Sequence, residues 1–137
     1  MIAAVDTNVL LDILRPNPQF VKSSAEALEE AANAGVLVIC DLVYAELCVH
    51  FETGEECDDF LRGAGIRVES LTSEACFLAS RVWRSYRKQG GQRTRILTDF
   101  LIGAHAQLQA SRLLSRDRGF YARMFPKLKL IDPAAVK

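Results

Sequence analysis

Five short apolar segments, rich in β-branched residues, punctuate this chain: Ile2 to Val5, Val36 to Cys40, Ile66 to Leu71, Leu113-Leu114 and Leu128 to Ile131. Short apolar runs without regular polar alternation read as strands covered on both faces, as in a parallel sheet flanked by helices. Between them lie stretches of helical spacing. This alternation predicts an α/β fold, a three-layer α/β/α domain with a central parallel sheet of four to five strands. The 137 residues suffice for one such domain, spanning 1–137, with a core that needs neither disulfides nor a structural metal.

The helical stretches carry their own punctuation. Thr7 to Leu14 stops at Arg15-Pro16-Asn17-Pro18. Phe20 to Ala34 keeps helical spacing through Val21, Ala25, Leu28, Ala31 and Ala32 and ends at Gly35. Asp41 is placed to cap Leu42 to Phe51, and Thr53-Gly54-Glu55-Glu56 reads as a capping box opening a helix that ends near Gly63 or Gly65. Thr72 caps a long helix to about Lys88, with an apolar stripe of Ala75, Leu78, Ala79, Val82, Trp83 and Tyr86. Gln89 to Arg95 is a Gly-Gly loop, and Leu101 to Ala110 an alanine-rich helix.

Composition excludes several classes. No apolar run approaches the roughly 20 residues needed to span a bilayer, and the start, Met-Ile-Ala-Ala-Val-Asp, has no signal-peptide pattern. Cys40, Cys48, Cys57 and Cys76 show no CxxC pairing and read as reduced thiols, so the expected compartment is the cytoplasm. The net charge of zero hides a polarity. Met1 to Asp59 holds twelve acids and two bases, whereas Phe60 to Lys137 holds five acids and fifteen bases. No acid occurs between Ala75 and Thr98. Two solvated helix faces would produce this pattern, and so would a cation site beside a polyanion groove.

In an open parallel sheet, ligands bind beyond the C-terminal strand ends, where strand order reverses. Four acids fall there. Asp6 ends the first strand, Glu46 lies on the helix after the second, Asp99 starts the helix before the fourth, and Asp117 follows the fourth. Singly, Asp99 is explained by its helix dipole with Thr98 as cap, Asp117 by a turn and Glu46 by a solvated helix position. Asp6 is different, because an acid ending a buried strand is costly without a partner. As a set, clustered carboxylates call for a hard cation, Mg²⁺ or Mn²⁺, of the kind that serves phosphodiester hydrolysis.

These residues carry a resemblance. Val5-Asp6-Thr7-Asn8-Val9-Leu10-Leu11-Asp12, Tyr44-Ala45-Glu46-Leu47, Thr98-Asp99-Phe100-Leu101-Ile102-Gly103-Ala104-His105-Ala106 and Leu114-Ser115-Arg116-Asp117-Arg118-Gly119-Phe120 together resemble the PIN domain, most closely the VapC type of toxin ribonuclease. The likeness runs from Ile2 to about Ile131. It implies that Asp6, Glu46 and Asp99 are the three most constant metal-binding acids and Asp117 the fourth, with Thr7 and Asn8 supporting them. It further implies a Mg²⁺- or Mn²⁺-dependent endoribonuclease leaving 5′-phosphate and 3′-hydroxyl ends, a homodimer, and an antitoxin partner lying over the active-site groove.

Other residues are demoted. His105 follows Asp99 by six positions, about 240° round an ideal helix, and reads as structural. His50 has no partner at ligand spacing, and Asp12 reads as helix surface. Ser115 serves the site or strand-end packing equally well, and Trp83 and Tyr86 read as core or dimer-face aromatics. Arg84, Arg87 and Lys88 divide between solvated surface and RNA phosphate contact. Arg93, Arg95, Arg116 and Arg118, nearest the acids, are the better RNA-binding candidates.

Rival readings remain open. A haloacid-dehalogenase site wants an acid two residues after the first, where Asn8 stands, and a receiver domain wants an acidic pair that Met1 to Val5 lacks. No P-loop motif is present. A non-cleaving RNA- or protein-binding module and a DNase of the same fold are the remaining alternatives.

Overall fold

A computed structural model describes residues 1–90 and 97–134. In chain order these form β1 (Ile2–Val5), α1 (Thr7–Leu14), α2 (Val21–Ala34), β2 (Val36–Cys40), α3 (Asp41–Cys48), α4 (Gly54–Gly63) and β3 (Ile66–Glu69). They continue with α5 (Ser73–Lys88), α6 (Leu97–Gln109), β4 (Arg112–Leu114), α7 (Arg118–Met124) and β5 (Lys129–Ile131). The five strands make one all-parallel sheet in the order β3-β2-β1-β4-β5, the centre of a three-layer α/β/α domain. Central β1 places Ala4 opposite Val38 on one side and Leu113 on the other. Ala3, Ala4 and Val5 are buried, and such small side chains let helices approach the sheet closely. Among the described residues no helix is long and apolar enough to cross a membrane.

Local chemistry sets most helix starts. The Thr53 side chain accepts from the Glu56 amide and that of Thr72 from the Ala75 amide, both at 3.1 Å, satisfying donors left over in each first turn. Asp41 caps nothing: it is the first residue of α3, and its carboxylate accepts from the Leu71 amide at 3.3 Å. Helix α3 ends at Cys48, short of the expected Phe51. Strand β3 stops at Glu69 instead of Leu71, and as an edge strand it leaves Arg67 and Val68 exposed. Helix α6 begins at Leu97, one turn earlier than its alanine-rich stretch suggests, so Asp99 lies inside its first turn. Helix α7 was not foreseen. Its seven residues give too little periodicity to read, and Phe120 and Tyr121 bury its inner face.

An aromatic series joins the last three helices. Ring centroids run Tyr86 to Phe100 at 5.4 Å, Phe100 to Phe120 at 5.1 Å, Phe120 to Tyr121 at 5.0 Å and Tyr121 to Phe125 at 6.5 Å. Phe125 presses its ring on α6 at Gly103, where an added Cβ would lie 2.3 Å from a ring carbon. Both partners are buried, so the ring has nowhere cheap to go.

Gly103→Ala is therefore expected to destabilise the fold by about 1–3 kcal/mol through overpacking, outweighing its gain in helix propensity. Gly63, with nothing within 4 Å of its would-be Cβ, is the control. Gly63→Ala should stabilise by roughly 0.4–1 kcal/mol. Urea unfolding of both variants checks the contrast, and equal shifts would refute it.

Candidate active site

The strand order reverses between β1 and β4, and the cleft beyond their C-terminal ends holds the candidate acids. Asp6 leaves β1 with its amide donating to the Leu114 carbonyl at 2.9 Å, which ties the first acid to the end of β4. Its carboxylate is buried and fully engaged. Oδ1 accepts from the Thr7 amide at 2.8 Å. Oδ2 accepts from Ser115 Oγ at 2.8 Å and from Asn8 Nδ2 at 3.4 Å. The Tyr121 hydroxyl is a further donor. Burial pushes the Asp6 pKa up from 3.8 to about 6, the hydrogen bonds from Ser115 and Thr7 oppose the rise, and the charge of Asp99 adds to it.

The other acids gather round that carboxylate. Thr7 Oγ1 donates to Glu46 Oε1 at 2.8 Å, linking the start of α1 to α3 and orienting Glu46, which is otherwise exposed. Asp99, half-buried in the first turn of α6, lies close enough for its charge to act on both Asp6 and Tyr121. Asp117 stands at the start of α7, its amide donating to Ser115 Oγ at 3.0 Å. Ser115 thus joins Asp6 to the backbone of Asp117, a role that sequence left undecided.

Tyr121 is the residue sequence reasoning missed. It sits one helical turn beyond Asp117 and is 1% exposed. Burial first, then the charges of Asp6, Asp99 and Asp117, push its pKa far up, so it stays a neutral donor amid three carboxylates. Its four-residue spacing from Asp117 would have marked it, had α7 been recognised.

Arg116 and Asp12 also differ from expectation. Asp12 is 2% exposed, not helix surface. Its carboxylate takes a two-point ion pair from Arg116, Nε to Oδ2 at 2.7 Å and Nη2 to Oδ1 at 3.0 Å, and accepts from Ser24 Oγ at 2.7 Å. The Arg116 guanidinium lies 4.0 Å over the Phe20 ring, and its amide donates to Asn8 Oδ1 at 3.2 Å. Its guanidinium is therefore committed to Asp12, and the pair clamps the turn carrying Asp117 onto α1 and α2. Arg118 is exposed at the start of α7. Arg93 and Arg95 lie outside the described residues. His105 is buried and structural, Nε2 meeting Glu69 Oε1 at 3.1 Å; burial pulls its pKa down while Glu69 opposes. Trp83 and Tyr86 are half-buried on α5, and the four cysteines are free thiols.

Oxygen donors of this kind suit a hard divalent cation, and burial first, then the charge of Asp99, raise the Asp6 pKa, so that a cation here would favour its ionised form. Donor chemistry and charge fit such an ion. Among the described residues no three of these side chains already close on one point at coordination distance.

Comparison with known proteins agrees with this architecture. Residues 3–125 match the family model described as PIN domain. In fold the chain is similar to a solved structure of VapBC2 from Rickettsia felis bound to a DNA fragment from their promoter, with TM-score 0.71, 20% identity, and 96% of this chain and 98% of that one covered. It is likewise similar to a toxin–antitoxin complex from Klebsiella pneumoniae, at TM-score 0.70 and 19% identity, covering 98% and 99% of the two chains. A third likeness is to VapBC-1 from nontypeable Haemophilus influenzae, at TM-score 0.72 and 21% identity, covering 98% and 100%. No curated protein sequence matches the chain.

Two expectations follow from the geometry. In the metal-free protein, Asp6 holds its proton to about pH 6 when folded but only to about 3.8 when unfolded. The folded state binds more protons between those values, so stability should fall as pH rises through that window, by at most roughly 3 kcal/mol. Urea unfolding in EDTA should show this decline in wild type and a flatter profile in Asp6→Asn; identical profiles would refute it. Second, Asp12→Ala should cost about 3–5 kcal/mol by stranding Arg116, while Asp12→Ala combined with Arg116→Met should cost less than the sum of the singles. A double-mutant cycle with no coupling would remove the clamp.

Proposed function

The chain belongs to the PIN domain family, and from that premise we propose that it is a Mg²⁺- or Mn²⁺-dependent endoribonuclease of the VapC type, the toxin of a toxin–antitoxin pair. PIN domains are generally nucleases that depend on divalent metal. The observation that carries the finer reading is the set of hydrogen bonds and charges converging on Asp6. Ser115, Asn8, Thr7 and Tyr121 donate to it, Asp99 acts on it, and Asp117 is bonded to the same Ser115. A Mg²⁺ or Mn²⁺ held by Asp6, Glu46, Asp99 and Asp117 would supply Lewis-acid stabilisation of the phosphate oxygens and a water of lowered pKa.

The chain's own residues do the rest. Thr7 fixes Glu46, and Ser115 with Asn8 fixes the Asp6 rotamer, so these two acids are ordered before any ligand arrives. Tyr121 keeps its proton on the hydroxyl and hydrogen-bonds Asp6 from the buried side. Arg118, exposed beside Asp117, is positioned to meet a phosphate of the RNA. No protein nucleophile is required. The same reading includes an antitoxin partner, in keeping with the toxin–antitoxin complexes of like fold, as well as a homodimer and a cytoplasmic setting. Leu108 on α6, exposed at 47%, offers apolar surface for pairing.

Purified free of antitoxin, the wild type should cut total cellular RNA into discrete fragments with Mg²⁺ or Mn²⁺ and not with EDTA. Asp6→Asn should abolish cutting, and Thr7→Val should slow it roughly 10–100-fold by releasing Glu46. Single-stranded DNA in parallel separates ribonuclease from DNase. Failure of wild type both to cut and to bind Mn²⁺ by calorimetry would overturn the reading.

A further inference from the structure

The C-terminal half of α5 carries a row of cations with no carboxylate partner among the described residues. Arg81, Arg84 and Lys88 recur on one helix face with Ser85 and line a surface hollow of about 300 Å³. With Ser80, Trp83 and Arg87 they also border a larger one of about 540 Å³. Among the described residues none of these four cations forms an ion pair with a carboxylate, and α5 contains no acid after Glu74. Like charges three and four residues apart on a helix repel and destabilise it. The helix dipole favours cations only in the last turn, which accounts for Arg87 and Lys88 but leaves Arg81 and Arg84 unexplained. A bound polyanion would relieve that repulsion from outside.

Two of the arginines are held over aromatic rings. The Arg81 guanidinium lies 4.6 Å over the Phe77 ring, and that of Arg87 lies 5.2 Å over the Trp83 ring. Stacking occupies the face of the guanidinium plane and leaves its edge donors available, the geometry that phosphate recognition uses.

The end of α5 that carries the row packs on the helix that carries Asp99. At one end of the α5–α6 pair the Thr72 amide donates to Gln109 Oε1 at 3.1 Å, and at the other the Tyr86 ring packs on Phe100. The helices are therefore antiparallel, and the basic end of α5 sits beside the first turn of α6, which carries Asp99. A third hollow, of about 330 Å³, lies between Arg81, Val82, Ser85, Tyr86 and Gln89 of the α5 end and Arg123 and Met124 of α7. It extends the basic surface toward the helix that begins next to Asp117.

We propose that this face of α5 is the track along which the RNA strand runs to the acid site, with phosphates flanking the scissile bond seated on Arg81, Arg84, Arg87 and Lys88. The proposal rests on the ribonuclease reading and adds the path of its substrate. Such contacts set the register of the strand without reading its bases. At 1.5 Å rise per residue, Arg81 to Lys88 spans about 10 Å, so the track holds a few nucleotides of single strand.

The test uses Arg81→Gln/Arg84→Gln, residues outside the acid site. In an Asp6→Asn background that cannot cut, binding of a mixed-sequence single-stranded RNA is followed against salt. The double variant should bind more weakly, and the slope of log K against log salt should flatten by about 1.4, two contacts at about 0.7 each. With Asp6 intact, KM for long RNA should rise while kcat holds, and thermal stability should not fall, since the repulsion within the row is removed. Unchanged affinity and slope, with RNA still cut, would overturn the track alone. Loss of poly-glutamate binding with RNA binding untouched would overturn it in favour of an acidic protein partner. If the Asp6→Asn protein binds no RNA and the wild type cuts none, the ribonuclease reading and the track fall together.

Discussion

The rest of the structure is arranged around one unfavourable act, the burial of the Asp6 carboxylate at the end of the central strand. Taking a carboxylate out of water costs several kcal/mol unless donors surround it. Donors reach it from both sides: Thr7 and Asn8 from α1, Ser115 from the end of β4 and Tyr121 from α7. These elements are far apart in the chain, so the carboxylate is also what holds them in register. Its amide bond to Leu114 and the parallel pairing of Val5 with Leu114 make β1 and β4 one unit, and the cleft beyond them follows from that pairing. Even with four donors the Asp6 pKa stays raised. The protein satisfies the hydrogen bonds but not the charge.

That residual charge separates a structural acid from a site. Asp12, equally buried on the same helix, receives a guanidinium and a hydroxyl and is neutralised within the fold. Asp6 receives only neutral donors and faces a second negative charge from Asp99. The two acids stand six residues apart; one is ion-paired within the fold, and the other is the acid at which the proposed function places a cation. Arg116 serves both, its side chain compensating Asp12 and its amide holding Asn8 against the Asp6 cluster.

This difference also explains what could be read from sequence. Strand positions were legible because burial on both faces leaves a local mark, and the places of the candidate acids followed from the strands: Asp6 ends β1, Glu46 lies on the helix after β2, Asp99 opens the helix before β4 and Asp117 follows β4. Helix α7 was not, since seven residues around Gly119 carry no clear period, and Tyr121 was lost with it. The Arg116–Asp12 pair was not foreseen: Asp12 was read as surface, and Arg116 was weighed only as an RNA contact. Nothing within either segment shows that residues 104 apart in the chain are ion-paired. Where the signal lies in one element it can be read; where it lies in a contact between two, folding must be known first.

The charge polarity of the chain takes its meaning from the same logic. The acids of the first half could have neutralised the bases of the second, and Arg116 shows that the fold makes such a pair when it is useful. The cations of α5 instead remain without carboxylate partners among the described residues, although the antiparallel α5–α6 packing brings them beside Asp99. The basic row thus keeps its own face of α5, where like charges three and four residues apart repel at a cost to the isolated protein. On the proposed function, an RNA strand would relieve that repulsion while a divalent cation met the carboxylates, so that each component of one ligand would be drawn to the surface of opposite sign.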